Sequence, residues 1–162
     1  MKIKIFSTGG TFDMIYFDAN SEFQFADTII GDLLEEANIS FDYDIVTLLE
    51  KDSLDINEVD RKMIHEAISN VKENRILITH GTDTMVETAQ ALLDIRDKTI
   101  VLFGAMQPAR MRHSDATFNL GAACAAVQLL PAGVHLAMNG QIFDPCKVVK
   151  NRALNRFEYT DS

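Results

Sequence analysis

The sequence predicts a doubly wound α/β domain, in which helices cover both faces of a mostly parallel sheet. Apolar, β-rich segments recur along the 162 residues, and helical patterns lie between them. The β-rich segments are near-continuous hydrophobic runs, which is typical of parallel strands that are buried on both faces. Because no internal repeat, low-complexity tract or linker interrupts this alternation, we expect a single domain over residues 1–162.

The predicted elements follow one another in a regular order. Strands are expected at residues 2–7, 43–49, 75–79, 99–103 and 134–138. Helices are expected at residues 28–37, 56–71, 85–93 and 114–130, where apolar side chains recur at helical spacing. Asp55 and Glu58 form an acceptable capping pair for the second helix. A further strand or turn is expected at residues 141–149.

Residues 12–27 follow a different pattern. Aromatic side chains alternate there with Asp, Asn, Ser and Glu. This alternation favours a hairpin or a mobile active-site flap near the first strand rather than a helix.

The composition argues against several classes of function. The net charge is −9 and no stretch is rich in Lys or Arg, which argues against nucleic acid as a partner. No run of 18 or more apolar residues occurs and the N-terminus lacks the pattern of a signal peptide, so we expect no membrane segment. Two cysteines are too few for a disulfide framework. We therefore expect a soluble cytoplasmic protein with a small zwitterionic or cationic ligand.

A polar or glycine-bearing segment directly follows each predicted strand. In an open parallel sheet, ligands bind outside the carboxyl ends of the strands. These segments are Thr8-Gly9-Gly10-Thr11, Glu50-Lys51-Asp52-Ser53, His80-Gly81-Thr82-Asp83, Gly104-Ala105-Met106-Gln107-Pro108 and Asn139-Gly140. They predict one small-molecule site. Neither GxxxxGK(S/T) nor GxGxxG is present and the four histidines lack the spacing of metal ligands, so we expect neither a metal ion nor an organic cofactor.

Two threonines, Thr11 and Thr82, are candidates for a nucleophile or for its activator. A threonine hydroxyl is a weak nucleophile at neutral pH and needs a base or a proton relay. Asp83 adjoins Thr82, and Lys150 has the chemistry to pair with Asp83 and to act as a general base. Simpler interpretations stay open, because Asp83 could cap a helix, Lys150 could be solvated, and the two-glycine segment could be a plain turn.

Together these motifs resemble the L-asparaginase family in its bacterial, Thr-dependent form. The matching segments are Thr8-Gly9-Gly10-Thr11, residues 78–85, residues 104–108, Ser114-Asp115-Ala116 with Phe118-Asn119-Leu120, and Met138-Asn139 leading to Lys150. Their order and approximate spacing match the N-terminal domain of that family across most of the chain. The resemblance implies hydrolysis of L-asparagine to L-aspartate and ammonia through an acyl-enzyme.

The resemblance also implies individual catalytic roles. It makes Thr11 the nucleophile, and Tyr16 is similar to the flap tyrosine that assists it. Thr82, Asp83 and Lys150 resemble the family's second, rigid catalytic set. The family's lysine follows its Met-Asn pair at the spacing that Lys150 has here, and for that reason Lys150 is preferred to the nearby Lys147.

The residues that would hold the substrate follow from the same resemblance. They are Gly10, Asp52, Ser53, Gly81, Thr82, Asp83 and Ala105. The family's substrate-holding Ser-Gln pair after the second strand has no literal match in this chain. Asp52 is the expected replacement for the contact with the substrate ammonium, and Ser53 for the contact with its carboxylate. Glu50 and Lys51 form the competing register.

The main departure from the family is length. Its usual members carry a second, smaller C-terminal domain that contributes to the site of a neighbouring subunit. We therefore expect a short-chain enzyme or a fragment, and a homodimer or homotetramer. Two rival functions stay open, a related side-chain amidase or glutaminase and a non-catalytic amino-acid-binding module.

Overall fold

The structure, a computed structural model, describes residues 1–19 and 21–160. Over these residues the strands are β1 (Lys2–Gly9), β2 (Met14–Phe17), β3 (Glu22–Phe25), β4 (Asp42–Lys51), β5 (Arg75–Thr79), β6 (Thr99–Phe103), β7 (Gly133–Met138), β8 (Gln141–Phe143), β9 (Val148–Asn151) and β10 (Arg156–Tyr159). The α-helices are α1 (Ile30–Glu36), α2 (Glu58–Asn70), α3 (Met85–Gln90) and α4 (Ala116–Leu129). Asn20, within the predicted flap, and Asp161 and Ser162, within the predicted domain, lie outside the described residues.

The main sheet has the strand order β4-β1-β5-β6-β7-β8. Its neighbouring strands pair in parallel, except that β8 runs antiparallel to β7. The predicted mostly parallel α/β fold is therefore confirmed. Over the described residues, no helix combines the length and the apolar character needed to cross a membrane.

Two hydrophobic cores lie on opposite faces of this sheet. Ile76 and Ile78 of β5 pack in one core with side chains of α2 and α3. Leu77, between them in sequence, packs in the other core with side chains of α1 and α4. Successive strand residues point to opposite faces, so an unbroken apolar run serves both cores. Helices therefore cover both faces, as predicted.

The four predicted helices are present, but the predicted capping pair of α2 is wrong. The side chain of Asn57 accepts a hydrogen bond from the backbone N–H of Asp60, and the Asp60 carboxylate accepts one from the backbone N–H of Asn57. Asp55 and Glu58 therefore do not form the cap. The backbone of Asn57 and the ammonium of Lys51 hold the pKa of Asp60 below its usual range.

Residues 141–149 form one strand, a turn and the start of another strand. β8 extends the main sheet, whereas β9 and β10 form a separate antiparallel pair. The prediction that Lys150 follows this element is wrong, because Lys150 lies within β9. Its register partner is the buried Phe157 of β10.

β2 and β3 form an antiparallel hairpin, which agrees with the hairpin predicted for this part of the chain. The Arg110 guanidinium donates to the carbonyl oxygens of Asp13 (3.0 Å) and Asp27 (2.7 Å), which lie just outside the two strands. The buried Asp13 carboxylate accepts hydrogen bonds from the hydroxyls of Ser7 and Thr28. Burial raises the pKa of Asp13. These contacts fix the base of the hairpin against β1 and the loop after β6.

Candidate active site

Loops after four strands meet at one edge of the sheet, because β4, β1, β5 and β6 are parallel neighbours. A Cβ atom added to Gly10 would lie 2.6 Å from the backbone nitrogen of Gly81. One added to Gly81 would lie 2.6 Å from the Cβ of Ser53, and one added to Gly104 would collide with the carbonyl oxygen of His80. The four loops are thus in direct contact, and glycine permits that approach.

Gly10 also sets the path of the chain into Thr11. Its backbone has φ +81° and ψ −179°, a region that is essentially confined to glycine. Its N–H donates to the carbonyl oxygen of Lys51 at 3.0 Å. Thr11 follows Gly10 and Thr82 follows Gly81, so the contact between the glycines brings the two threonine-bearing segments together.

Thr82, Asp83 and Lys150 form one hydrogen-bonded group. The Lys150 ammonium donates to Thr82 Oγ1 at 2.8 Å and to Asp83 Oδ1 at 2.9 Å. The side chains of Lys150 and Asp83 are only 14% and 28% exposed, which partly shields the ion pair from water. The Arg152 guanidinium lies 3.3 Å from the same Asp83 oxygen. Because Thr82 Oγ1 accepts from Lys150, its own proton can be donated to another acceptor.

Lys150 reaches this group from the β9–β10 pair. The side-chain oxygen of Asn139, at the end of β7, accepts a hydrogen bond from the N–H of Phe157 at 2.8 Å. Phe157 is the register partner of Lys150. Asn139 therefore ties this pair of strands to the main sheet at the position that carries Lys150, a role that the sequence analysis did not predict.

The loop after β4 brings Ser53 to the same group. Ser53 is buried, and its hydroxyl accepts from the backbone N–H of Asp83 at 3.2 Å. Its carbonyl oxygen accepts from the hydroxyl of Thr84 at 2.7 Å. Ser53 therefore lies against both ends of the segment from Gly81 to Thr84.

The other candidates in this loop have different partners. The Asp52 carboxylate accepts from the backbone N–H of Leu54 at 2.9 Å and caps the short turn there. The Lys51 ammonium points to the Asp60 carboxylate of α2, at 2.9 Å and 3.0 Å from its two oxygens. Glu50 is exposed. Ser53 is therefore the member of this loop with contacts to the group around Lys150.

Thr11 borders a cavity of ≈ 210 Å³ that lies between the β2–β3 hairpin and the loop after β6. Its lining residues are Thr11, Met14, Phe23, Met106, Gln107 and Pro108. The Tyr16 ring packs edge-on against Phe23, with centroids 5.3 Å apart, and is 52% exposed. Asp83 and Lys150 border a separate cavity of ≈ 220 Å³. Within the part of the chain that the structure describes, these two cavities share no lining residue.

Ala105 is buried in the loop after β6, which α4 braces. The Asp115 carboxylate accepts from the backbone N–H groups of Met106, at 3.0 Å, and of the next residue, at 3.1 Å. The Asn119 side chain donates to the carbonyl oxygen of Gly104 at 2.9 Å. These contacts fix the loop that carries Ala105.

His80 stabilises the loop after β5 from beneath. Its Nδ1 lies 2.7 Å from the carbonyl oxygen of Gly81, which can only accept, so Nδ1 carries the proton. Its unprotonated Nε2 accepts from the hydroxyl of Thr88 at 2.7 Å, and Thr88 Oγ1 in turn accepts from Arg61 Nε at 3.2 Å. Complete burial lowers the pKa of His80 to about 4, so this imidazole is neutral near pH 7.

The family of this protein follows from comparison with known sequences. The family model described as "Asparaginase, N-terminal" matches residues 2–160, which is nearly the whole chain. The chain belongs to the asparaginase family. The resemblance drawn from its motifs is therefore confirmed.

Individual asparaginase-family relatives agree in fold and in sequence. The thermostable L-asparaginase from Thermococcus kodakarensis superposes with a TM-score of 0.85 at 29% identity, covering 98% of this chain and 51% of that one. The glutaminase-asparaginase of Acinetobacter glutaminasificans is 37% identical over 94 residues, which are 55% of this chain and 28% of the relative. A subunit of the glutamyl-tRNA(Gln) amidotransferase of Methanococcus vannielii is 36% identical over 151 residues, 88% of this chain and 35% of the relative. This asparaginase-family chain thus spans about half the solved structure and about a third or less of the two curated relatives.

Several residues that shape this asparaginase-family site were not assigned roles from sequence. Asp115 and Asn119 belong to a motif that carried the resemblance, so a signal for them was present. Asn139 likewise belongs to the Met138-Asn139 motif, whereas Arg110 lies in no such motif and acts through a contact with a residue 97 positions away. A local pattern contains no information about such contacts.

Proposed function

We propose that this asparaginase-family chain hydrolyses L-asparagine to L-aspartate and ammonia, with Thr11 as the nucleophile. The observation that carries the proposal is the contact between Gly10 and Gly81. It joins the turn before Thr11 to the turn before Thr82. The half-buried Thr11 thus follows a turn that touches the turn of Thr82 and Asp83, and an acid, an amine and a second hydroxyl are the groups that acyl transfer requires.

In the first step, Thr11 Oγ1 attacks the carbon of the side-chain amide. A bond forms between that oxygen and the amide carbon, and the carbonyl oxygen gains negative charge. Backbone N–H groups of the glycine turns and the hydroxyl of Thr82 are suited to stabilise that charge. Tyr16 assists from the β2–β3 hairpin, which closes over the substrate as a flap.

The bond to nitrogen then breaks as the carbonyl group re-forms, and ammonia departs with the proton that the Thr11 hydroxyl has given up. Lys150, which donates to both Thr82 and Asp83, supplies the route for that proton. Water next attacks the acyl-enzyme by the reverse arrangement. L-aspartate leaves, and Thr11 recovers its proton.

Charge and hydrogen bonding give the substrate its orientation. Asp83 is an acidic group for the ammonium of a free amino acid, and Asp52 is a second one. The buried Ser53 hydroxyl, next to the Asp83 backbone, is suited to the carboxylate. Gly10, Gly81 and Ala105 contribute backbone groups at the reacting amide.

A second candidate is hydrolysis of L-glutamine or another side-chain amide. A relative named as a glutaminase-asparaginase supports it. One methylene changes the transition-state affinity of a simple pocket by only about 1–3 kcal/mol. The ratio of kcat/KM for asparagine to kcat/KM for glutamine, measured on the purified protein, separates the two.

Ammonia release by the wild-type protein and by two variants, Thr11→Ala and Lys150→Met, tests the proposal. Both variants should keep the circular dichroism of the wild type and lose turnover. The matched control is Lys147→Met, an exposed lysine three positions before Lys150, which should retain turnover. Near-normal turnover in both Thr11→Ala and Lys150→Met would contradict the mechanism. Calorimetric binding of asparagine without any turnover would favour the amino-acid-binding module.

We also propose that the chain works as a homodimer or homotetramer in the cytoplasm. Val149, Leu154 and Tyr159 are 48%, 56% and 53% exposed and belong to the β9–β10 pair and its turn, beside Lys150. An apolar surface of this kind suits a second copy of the chain. Light scattering on the purified protein measures the mass, and a monomer at micromolar concentration would contradict this assembly.

A further inference from the structure

The cavity beside Thr11 has an apolar wall. Met14 and Phe23 of the β2–β3 hairpin form one side, and Met106 and Pro108 of the loop after β6 form the other. Free asparagine carries polar groups at both of its ends and has little apolar surface to place against such a wall. Apolar side chains next to a nucleophile therefore indicate that an apolar part of a substrate lies there.

The charged groups of the site lie elsewhere. Asp83 and Lys150 border a different cavity, and the Ser53 hydroxyl faces the backbone of Asp83. Thr11 borders the apolar cavity and not the cavity beside Asp83 and Lys150. We therefore orient an amino-acid substrate with its zwitterionic end toward the charged groups and its amide carbon at Thr11. The substituent on the amide nitrogen would extend past Thr11 into the apolar cavity.

The wall on the hairpin side is held in place. Met14 and Phe23 lie on one face of the hairpin together with Tyr16, because Tyr16 is the register partner of Phe23 and strand side chains alternate between faces. Arg110 holds both ends of the hairpin through the carbonyl oxygens of Asp13 and Asp27. On the other side, the carboxylate of Asp115 fixes the backbone of Met106.

The cavity has room for a small substituent on the amide nitrogen. Its ≈ 210 Å³ is about seven times the ~30 Å³ that one water molecule occupies in the liquid. Ammonia occupies a small part of this volume, and a short alkyl chain fits in the remainder.

We propose that the site accepts side-chain amides that carry a short apolar substituent on the amide nitrogen, and releases the corresponding alkylamine. This inference rests on the proposed function. Thr11 Oγ1 would form the ester bond to the amide carbon, the carbon–nitrogen bond would break, and the alkylamine would leave with the proton that ammonia would otherwise take. Water would then release L-aspartate, so the products balance as for asparagine.

The test compares L-asparagine with its N4-methyl, N4-ethyl and N4-propyl derivatives, with aspartate release as the common readout. Between the methyl and propyl derivatives, kcat/KM should rise by about fourfold for each methylene, which is the gain expected for burying one CH₂ group. The variant Met14→Ala should abolish the rise while it keeps turnover of asparagine. The control is Phe17→Ala, which removes an exposed aromatic ring from the opposite face of the same hairpin and should keep the rise.

The outcomes separate the two proposals. Turnover of asparagine with a kcat/KM that falls at each added methylene would overturn this inference and leave the proposed function standing. A rise that persists in Met14→Ala would overturn the assignment of the cavity, and Met106→Ala provides a second variant on its opposite wall. No aspartate from any of the four compounds would overturn the proposed function and this inference with it.

Discussion

The backbones of Gly10 and Gly81 touch where β1 and β5 end, and this contact leaves no room for a Cβ atom on Gly10. The contact fixes the loops that follow these two neighbouring strands relative to each other. The segment that contains Thr11 and the segment that contains Thr82 and Asp83 are consequently held together by backbone packing rather than by a flexible side chain.

Gly10→Ala should therefore lower both stability and activity. The backbone conformation of Gly10 costs an L-residue about 1–3 kcal/mol, and the clash with the Gly81 backbone adds to this. We expect the free energy of unfolding in urea to fall by at least about 2 kcal/mol. Ammonia release should fall at least tenfold. Gly121→Ala is the matched control, because nothing lies within 4 Å of a Cβ in that position of α4, and it should raise stability by about 0.5–1 kcal/mol. Equal stability of the two variants would contradict this account of Gly10.

Two buried threonines differ in the hydrogen bonds of their hydroxyl groups, so the same substitution should affect them differently. Thr79 Oγ1 has no hydrogen-bond partner among the described residues, whereas Thr88 Oγ1 contacts both His80 and Arg61. Thr79→Val should leave the free energy of unfolding unchanged or raise it by up to about 1 kcal/mol, since no hydrogen bond is lost. Thr88→Val should lower it by about 1–3 kcal/mol, because two buried partners lose a hydrogen bond. Urea unfolding of both variants at pH 7 measures the difference, and a larger loss in Thr79→Val than in Thr88→Val would refute it.

The free energy of unfolding should depend on pH because His80 is buried. Burial lowers its pKa in the folded protein to about 4, below its usual value of about 6.5 in the unfolded chain. The neutral form is thus favoured by folding, so the stabilisation is complete above pH 6.5 and is lost as the pH falls through 4. The difference in free energy of unfolding between the wild type and His80→Asn should shrink by on the order of 3 kcal/mol between pH 7 and pH 4. A difference in free energy of unfolding that stays constant from pH 7 to pH 4 would contradict the lowered pKa of the buried His80.

The strands were the most predictable part of the fold. An apolar run buried on both faces needs no tertiary information to be recognised, and β5 and β6 have the predicted bounds. β1 and β4 extend beyond their predicted ends, to Gly9 and Lys51, because these two residues pair across an irregularity in the register. No property of either segment alone reveals that pairing.

The capping of α2 is a case in which local spacing permits two answers. Asp55 with Glu58 and Asn57 with Asp60 both place an acceptor three positions before an acidic residue. The observed pair gains from the ion pair between Asp60 and Lys51 of β4. Tertiary contact therefore decides between two registers that the sequence presents as equivalent.

In the candidate site, too, some residues could be assigned from local sequence and others only from tertiary contacts. Thr82, Asp83 and Lys150 could be grouped from the resemblance, since Thr82 and Asp83 lie within one matching segment and Lys150 follows another at the family's spacing. The positioning contacts of Arg110, Asn139 and Asp115 depend on how distant loops pack. Such contacts become visible only when the chain is folded.

In the proposed mechanism Thr11 carries the acyl group, and covalent trapping of that group locates it on the chain. The wild-type protein, mixed with L-asparagine and quenched in acid during turnover, should carry an aspartyl ester, because the acyl-enzyme lies between release of ammonia and release of aspartate. Peptide mapping by mass spectrometry is expected to locate that ester on Thr11. An aspartyl group on Thr82, or turnover of asparagine by the Thr11→Ala protein at the wild-type rate, would contradict the account.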